Sequence, residues 1–478
     1  MPPERTRVVV VGGGIAGMSA AYYLGRAPGE VECTVVEEHG RLGGKIETVH
    51  TDGFTIEAGP DSFIARKPDA LGLVRDLGLE EQLVPARRGG AVYLVDRGRL
   101  VPLPQGMSLI APLAPGPFLR SPLFSLRGKL RALAEPLVPP RRDAPDESIG
   151  SFTRRRFGQE LVDRVAEPLM AGIHLGDPDR LSMSTFPHLL ELERTHGSVI
   201  RGMRRMRRNR PADRGSHAGI PMYSLREGMG SLVKALDAAV GRSAVVRTRT
   251  RVTRIERTRT GYRIVLETAG GTPEALEADC VVLAVPASAA AAILRETERE
   301  ASELLTSFSA YSSATVSLAF GTDAEIPELD GTGFLVPAAE HRTIRGCTFT
   351  TNKYPARSPS GAFLLRAFIG GPDADPVLDR SDDELSGLVL EELRDIIGVR
   401  SQPRFSRVFR FRHATPQYEV GHSERVARLA SLRGCGLHFI GSSYTGSGIP
   451  DCTAAGRQVA SAVVEHAAAE ACRGRGAQ

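Results

Sequence analysis

The sequence predicts an α/β fold, α+β over the whole chain. One parallel-sheet domain is built from the first and last segments, and other domains are inserted between them. Three observations carry this. Residues 8–11 form a short β-branched run, followed at once by Gly12-Gly13-Gly14-Ile15-Ala16-Gly17 and then by an Ala-rich helix opening at 18–24. Residues 438–441 form a second buried run, followed by a glycine-containing loop at 442–452 and a helix from Ala454 to about Ala468. Between these units, alternating runs at 311–320 and 362–370 read as strands of a separate sheet. The opening unit of strand, glycine turn and helix is Rossmann-like.

Gly12, Gly14 and Gly17 have the spacing G-x-G-x-x-G. Gly12 permits the tight turn, Gly14 lets a pyrophosphate approach the backbone without meeting a Cβ, and Gly17 lets helix and strand pack closely. The helix N-terminus presents free N–H groups and a partial positive charge to phosphates. The next strand, 31–36, ends at Glu37, twenty residues after Gly17. A carboxylate there accepts from ribose hydroxyls, so the pattern predicts a bound dinucleotide. Arg41-Leu42-Gly43-Gly44-Lys45 follows. Its glycine pair lets backbone pass close to a flat ligand, and Arg41 and Lys45 reach the ligand's phosphates.

Residues 67–79 read as a helix ended by Gly78, and 92–95 with 99–101 as a hairpin around Asp96-Arg97-Gly98. At 102–140 Leu, Ala and Pro dominate, with Arg120, Arg127, Lys129 and Arg131 interspersed. This stretch reads as a helical cap over a ligand cavity or as an amphipathic membrane-contact surface; its prolines argue against one long interfacial helix. Residues 148–157 and 160–169 look helical. Arg201 to Arg210 carries six arginines. With no aromatic interleaving it does not read as a nucleic-acid binder. It reads as a mobile, solvated loop, with anionic lipid as a minor alternative. A loop at 223–229 leads into a helix at 232–240. Runs at 245–246, 252–255 and 262–266 predict a small antiparallel meander. A buried strand at 279–286 returns the chain to the central sheet, and 382–397 is a helix.

The 478 residues, 41% apolar with 51 Gly and 32 Pro, describe a loop-rich globular chain, neither fibrous nor broadly disordered. A formal charge of +5 suits an anionic ligand without identifying one. The six cysteines are widely spaced, with no C-x-x-C and no zinc-type grouping, so no metal site is predicted and a reducing compartment is the simplest reading. The first strand leaves no room for a signal peptide, and no 18-residue apolar stretch occurs. The expectation is a cytoplasmic protein with peripheral membrane contact through 102–140 and 201–210.

Taken together, Gly12–Gly17, Glu37, Arg41–Lys45 and Gly59-Pro60-Asp61-Ser62-Phe63 resemble the FAD-binding half of the flavin amine oxidase superfamily. Other stretches narrow the resemblance: Ala171-Gly172-Ile173-His174-Leu175-Gly176-Asp177, Leu181 to Pro187, Pro416-Gln417-Tyr418 with Gly421-His422, and Gly448-Ile449-Pro450-Asp451-Cys452. These are similar to the protoporphyrinogen/coproporphyrinogen oxidases of haem biosynthesis. Gly448 to Cys452 and Thr350-Thr351-Asn352-Lys353 most resemble the bacterial coproporphyrinogen III branch.

The resemblance implies FAD as cofactor. Gly12, Gly13, Gly14, Ile15, Ala16, Gly17 and Glu37 would hold its ADP part, and Arg41, Gly43, Gly44 and Lys45 would line the riboflavin and phosphate path. Gly59, Pro60, Asp61 and Ser62 would lie beside the isoalloxazine, Val252 on the adenine side, and Gly448, Ile449 and Pro450 at the ring. Phe411 fills an aromatic position where some relatives have Trp, and His174 stands where bacterial relatives commonly have Tyr. Gly172, Ile173 and His174 would face substrate. Taken alone, His174 reads first as an ordinary satisfied histidine and second as a pocket residue. Lys67, then Arg66, are the nominated propionate partners. No general base stands out; the flavin carries the chemistry.

The implied reaction is six-electron oxidation of a porphyrinogen to a porphyrin with O2 as acceptor, giving H2O2, with coproporphyrinogen III as the preferred substrate. Protoporphyrinogen IX is the alternative; an amine oxidase, a carotene-type desaturase and a non-catalytic flavoprotein are remoter. Hand-off to a ferrochelatase and a monomer or homodimer complete the expectation. The expected domains are FAD-binding at 1–60, 226–290 and 406–478, substrate-binding at 61–98, 211–225 and 291–405, and helical, membrane-facing at 99–210.

Overall fold

The strand Thr6–Val11 ends in four consecutive buried valines, the pattern of a strand covered on both faces. In the computed structural model, which describes residues 5–27, 31–87, 90–141, 146–208, 221–268, 271, 273–432 and 436–475, it is the middle strand of a five-stranded sheet. The order is Ala244–Arg247, Val31–Val36, Thr6–Val11, Cys280–Leu283, Leu437–Phe439, all parallel. Val8 to Val11 pair with Cys33 to Val36 on one side and Cys280 to Leu283 on the other. Val8 and Val10 enter a core with the helices Ile15–Leu24, Gly230–Val240 and Ile449–Arg475. Val9 and Val11 enter a second core with the helix Ala287–Leu294 and the meander Thr250–Arg257, Tyr262–Thr268, Glu274–Ala278.

The meander differs from the expected one. The run at 245–246 belongs to Ala244–Arg247, which leaves the meander and pairs in parallel with Val31–Val36. Glu37 N–H then donates to Arg247 O at 2.9 Å, so this run closes the sheet beside the strand that ends in the acid. Glu274–Ala278 takes its place in the meander. The closing helix also starts earlier, at Ile449. The expected loop at 223–229 begins instead as a short strand, Met222–Leu225, paired with Phe63–Ile64 and Leu83–Pro85.

The expected solvated loop at 201–210 is a helix over its described part, Val199–Arg208; residues 209 and 210 lie outside the described residues. Val199, Ile200 and Met203 recur at helical spacing and are buried, while Arg201, Arg204, Arg205 and Arg208 face solvent. The apolar stripe holds the helix down and the arginines ride outside. Beneath it, fully buried Arg156 is bonded to Glu135, to Glu193 at 3.3 Å, and to Val138 O at 3.0 Å. Glu135 in turn accepts the Val199 N–H at 3.0 Å, capping the arginine helix from outside its own sequence.

A seven-stranded sheet runs Phe405–Pro416, Ala310–Phe320, Phe363–Gly371, Ile344–Phe349, Gly333–Leu335, Val92–Asp96, Arg99–Pro102. It is antiparallel except where Gly333–Leu335 meets Val92–Asp96. The helix Asp382–Ile397 covers it, started by a Ser381–Glu384 capping box. The prolines of 102–140 cut that stretch into short pieces, including the helices Pro115–Arg120 and Leu126–Leu133.

Candidate cofactor and substrate site

The glycine turn is held by Gly12 N–H donating to Val36 O at 2.8 Å. A Cβ on Gly17 would lie 2.0 Å from Gly12 O, so this glycine serves helix–strand packing. A Cβ on Gly14 would meet nothing within 4 Å; its backbone faces open space. The helix Ile15–Leu24 begins there with no side-chain cap and no acid in its first turn, leaving its N-terminal N–H groups facing that space. Buried Glu37 accepts the Gly13 N–H at 2.7 Å and the His39 N–H at 2.8 Å. These are the donor ends, the glycine cradle and the carboxylate that a dinucleotide requires, and the residues present fit FAD.

The second glycine pair docks on the first turn. Gly43 N–H donates to Gly13 O at 2.8 Å, and Gly44 takes a positive φ of 57°. Arg41 folds onto its own loop, donating to Gly44 O at 2.7 Å and pairing with Glu47 at 2.8 Å. Lys45 points inward to Ala414 O and, at 3.4 Å, to Ser442 Oγ. Burial pulls its ammonium below the usual lysine range, and no carboxylate pairs with it among the described residues. Val252 is buried at a bulge in the meander, two residues beyond Thr250, whose N–H donates to Glu37 O at 2.9 Å.

The stretch Ala58–Ser62 is fixed from the seven-stranded sheet. Ala58 O accepts from Thr315 Oγ1 at 2.8 Å and from Arg366 at 3.0 Å, and Gly59 O accepts from Arg366 as well. Asp61 takes both carboxylate contacts of Lys353 Nζ, at 2.8 and 3.0 Å, and accepts from Ser62 Oγ at 2.6 Å. Burial pushes the Asp61 carboxyl up, but the Lys353 and Arg366 charges outweigh it and hold it well below the usual carboxylate range. Lys353, Arg366, Thr315 and Arg357 are not among the expected site residues. Arg366 carries a signal in the sequence: an arginine inside an otherwise buried strand must find acceptors.

At the last helix, Gly448 O accepts from Cys452 N–H at 3.0 Å, and Ile449 and Pro450 open the first turn. Lys67 reaches this turn through an ion pair with Asp451. Arg66 is exposed, and its charge is felt by His188. Gly172, Ile173 and His174 end the helix Glu167–His174. A Cβ on Gly172 would strike the Leu335 side chain at 2.4 Å, so the missing side chain serves contact with the seven-stranded sheet; Ile173 is exposed. Burial holds the His174 imidazole down at about 4; its ring lies edge-on to Phe186 at 6.5 Å, and its carbonyl accepts from Gln417 at 2.9 Å. Phe411 sits on Phe405–Pro416, the edge strand of the seven-stranded sheet, opposite Ser313.

Residues 15–464 match the family of flavin containing amine oxidoreductases. The chain is 37% identical to the coproporphyrinogen III oxidase of Bacillus subtilis (strain 168) over 473 residues, covering 96% of this chain and 98% of that protein. It is 31% identical to the protoporphyrinogen oxidase of Bos taurus over 489 residues, covering 96% and 98%. A crystal structure from Exiguobacterium sp. 255-15, of a protein assigned as a protoporphyrinogen oxidase, superposes with a TM-score of 0.85 at 33% identity, covering 97% of this chain and 99% of that one.

Proposed function

The chain belongs to the flavin containing amine oxidoreductase family, and from that membership we propose that it is an FAD-dependent oxidase converting a porphyrinogen to a porphyrin, with coproporphyrinogen III preferred. The observation that carries this is the near-full-length similarity to a bacterial coproporphyrinogen III oxidase, together with a glycine cradle that fits the cofactor. The protoporphyrinogen oxidases are the second reading, favoured by the bovine relative. When bound, FAD supplies the redox chemistry, with O2 as final acceptor and H2O2 as by-product.

The chain's own residues bind and orient. The N–H groups at Gly14–Gly17 would hold the pyrophosphate, and Glu37 would accept from the adenosine ribose. Ala58–Ser62 and Gly448–Pro450 would hold the ring. Lys67, and after it Arg66, attract substrate propionates; a propionate taking Lys67 competes with Asp451. The FAD-binding domain comprises 1–60, 226–290 and 406–478. Leu126, Leu130 and Leu137 are 71%, 59% and 79% exposed, and Arg127, Arg201, Arg204, Arg205 and Arg208 face solvent as well. This supports peripheral contact with anionic membrane, near which product passes to a ferrochelatase. Among the described residues no helix is long and apolar enough to cross a membrane.

Purified protein incubated separately with coproporphyrinogen III and protoporphyrinogen IX tests the reading. Porphyrin fluorescence develops with both, faster with the first. Fluorescence that grows no faster than in a boiled control overturns the assignment, and a reversed ratio overturns the substrate preference.

A further inference from the structure

We propose that Lys353 and Arg366 are positioning residues for the flavin-side loop, and that the Lys353–Asp61 ion pair sets the charge felt at the ring. The inference rests on the reading that FAD lies against Ala58–Ser62.

That loop has unusual support. Its contacts come from a different sheet: Thr315 and Arg366 stand on strands Ala310–Phe320 and Phe363–Gly371, and Lys353 ends the short helix Thr350–Lys353 that follows strand Ile344–Phe349. Asp61 is tied at both ends, its carboxylate to Lys353 and its carbonyl to Ser224 Oγ at 2.6 Å. Ser224 Oγ accepts from Arg357 at 2.6 Å, and Arg357 pairs with buried Glu57 at 3.1 Å. Tyr354 packs its ring against both Lys353 and Arg357.

Lys353, Arg366, Ser62 and Tyr354 face Asp61, and the Arg357–Glu57 pair acts on Tyr354 beside it. Three cations meet two carboxylates in a poorly hydrated space. One positive charge is in excess beside the loop, which favours electrons arriving on a bound flavin. A loop that needed only to be held in place could be held by backbone hydrogen bonds and apolar contacts, without the desolvation cost of buried ions.

The experiment measures the reduction potential of the bound flavin in the purified holoenzyme across about pH 5 to 9. Wild-type Asp61 stays ionised over this range. In Lys353→Met the paired ammonium is gone while burial and the Arg366 charge remain, so Asp61 takes up a proton at higher pH than before. Above that pH the loss of one positive charge beside the loop lowers the potential below wild type; below it the neutral carboxyl lets the potential return. The variant therefore shows an added pH step. Lys353→Arg restores the wild-type profile. Asp61→Asn raises the potential at every pH without a step, and serves where Lys353→Met fails to fold. A Lys353→Met profile that tracks wild type, or an Asp61→Asn potential equal to wild type, overturns the proposal. These readouts need only bound flavin. A wild type that makes no porphyrin while the variants shift as stated refutes the porphyrinogen reading and leaves this inference intact.

Discussion

Gly14 and Gly17 stand three residues apart in the same turn, and the structure assigns them different work that substitution separates. In Gly17→Ala the new Cβ falls 2.0 Å from Gly12 O and 3.1 Å from Ala284 Cβ. Gly12 is tied to Val36 O by its own N–H, so the carbonyl cannot move away without opening the sheet. Overpacking of this kind costs about 1–3 kcal/mol or more in the protein without cofactor. In Gly14→Ala the backbone, at φ −71° and ψ 175°, suits any residue, and the new Cβ meets no protein atom within 4 Å. Folding stability is then unchanged or raised by about 0.4–1 kcal/mol, because the unfolded chain loses freedom. With FAD bound as proposed, the methyl would instead occupy the approach of the pyrophosphate. Losing one charge-assisted hydrogen bond there, about 1.5–3 kcal/mol, weakens FAD binding roughly ten- to hundred-fold. Denaturant unfolding of flavin-stripped protein, paired with FAD titration by flavin fluorescence, reads both quantities. A Gly14→Ala variant as destabilised as Gly17→Ala without cofactor, or one binding FAD as tightly as wild type, refutes the reasoning.

Lys45→Met should raise the Kd for FAD about ten-fold or more, since among the described residues its ammonium bonds to a carbonyl and a hydroxyl and to no carboxylate; the same titration checks this. Lys67→Ala should raise KM for the porphyrinogen roughly ten-fold with kcat little changed, and an unaltered KM removes Lys67 from the substrate site. Arg156→Met leaves buried Glu135 and Glu193 without their shared cation and should cost about 3–5 kcal/mol by denaturant unfolding, with part recovered in Arg156→Met/Glu135→Gln. The His174 pKa is depressed to about 4 from an unfolded value near 6.5. Its stabilisation is therefore present above pH 6.5, declines as pH falls, and is lost by about pH 4. His174→Gln should flatten that part of the stability–pH curve.

What is legible in the sequence is local. The strand, glycine turn and helix at residues 6–24 declare themselves because every constraint lies within a few residues: β-branched side chains, then a Gly17 whose Cβ would meet Gly12 O, then helix formers. The capped helix Asp382–Ile397 is legible for the same reason. Ala244–Arg247 escapes correct placement because a β-branched run states that it is a strand and not which strand it joins. Its partner, Val31–Val36, lies some two hundred residues earlier. At Val199–Arg208 the arginines draw attention to charge and hide the three apolar residues that decide the conformation.

The Asp61–Lys353 pair shows why a site is harder to read than the fold that carries it. The two residues are 292 apart in sequence, and neither has a local pattern that names the other. Only the stacking of two sheets brings them together: the first turn fixes Lys45, whose backbone lies against Gly59, and the seven-stranded sheet supplies Thr315 and Arg366 from the opposite side. The energetic logic is nonetheless written in composition. A carboxylate in an apolar loop and an arginine in a buried strand are each too costly to bury alone. Each therefore demands a partner: Asp61 finds the Lys353 ammonium, and Arg366 finds the Ala58 and Gly59 carbonyls of the same loop. On that argument Arg366, set among Leu364, Leu365, Ala367 and Ile369, is the residue whose sequence context declares a need for acceptors, which the Ala58–Ser62 loop supplies.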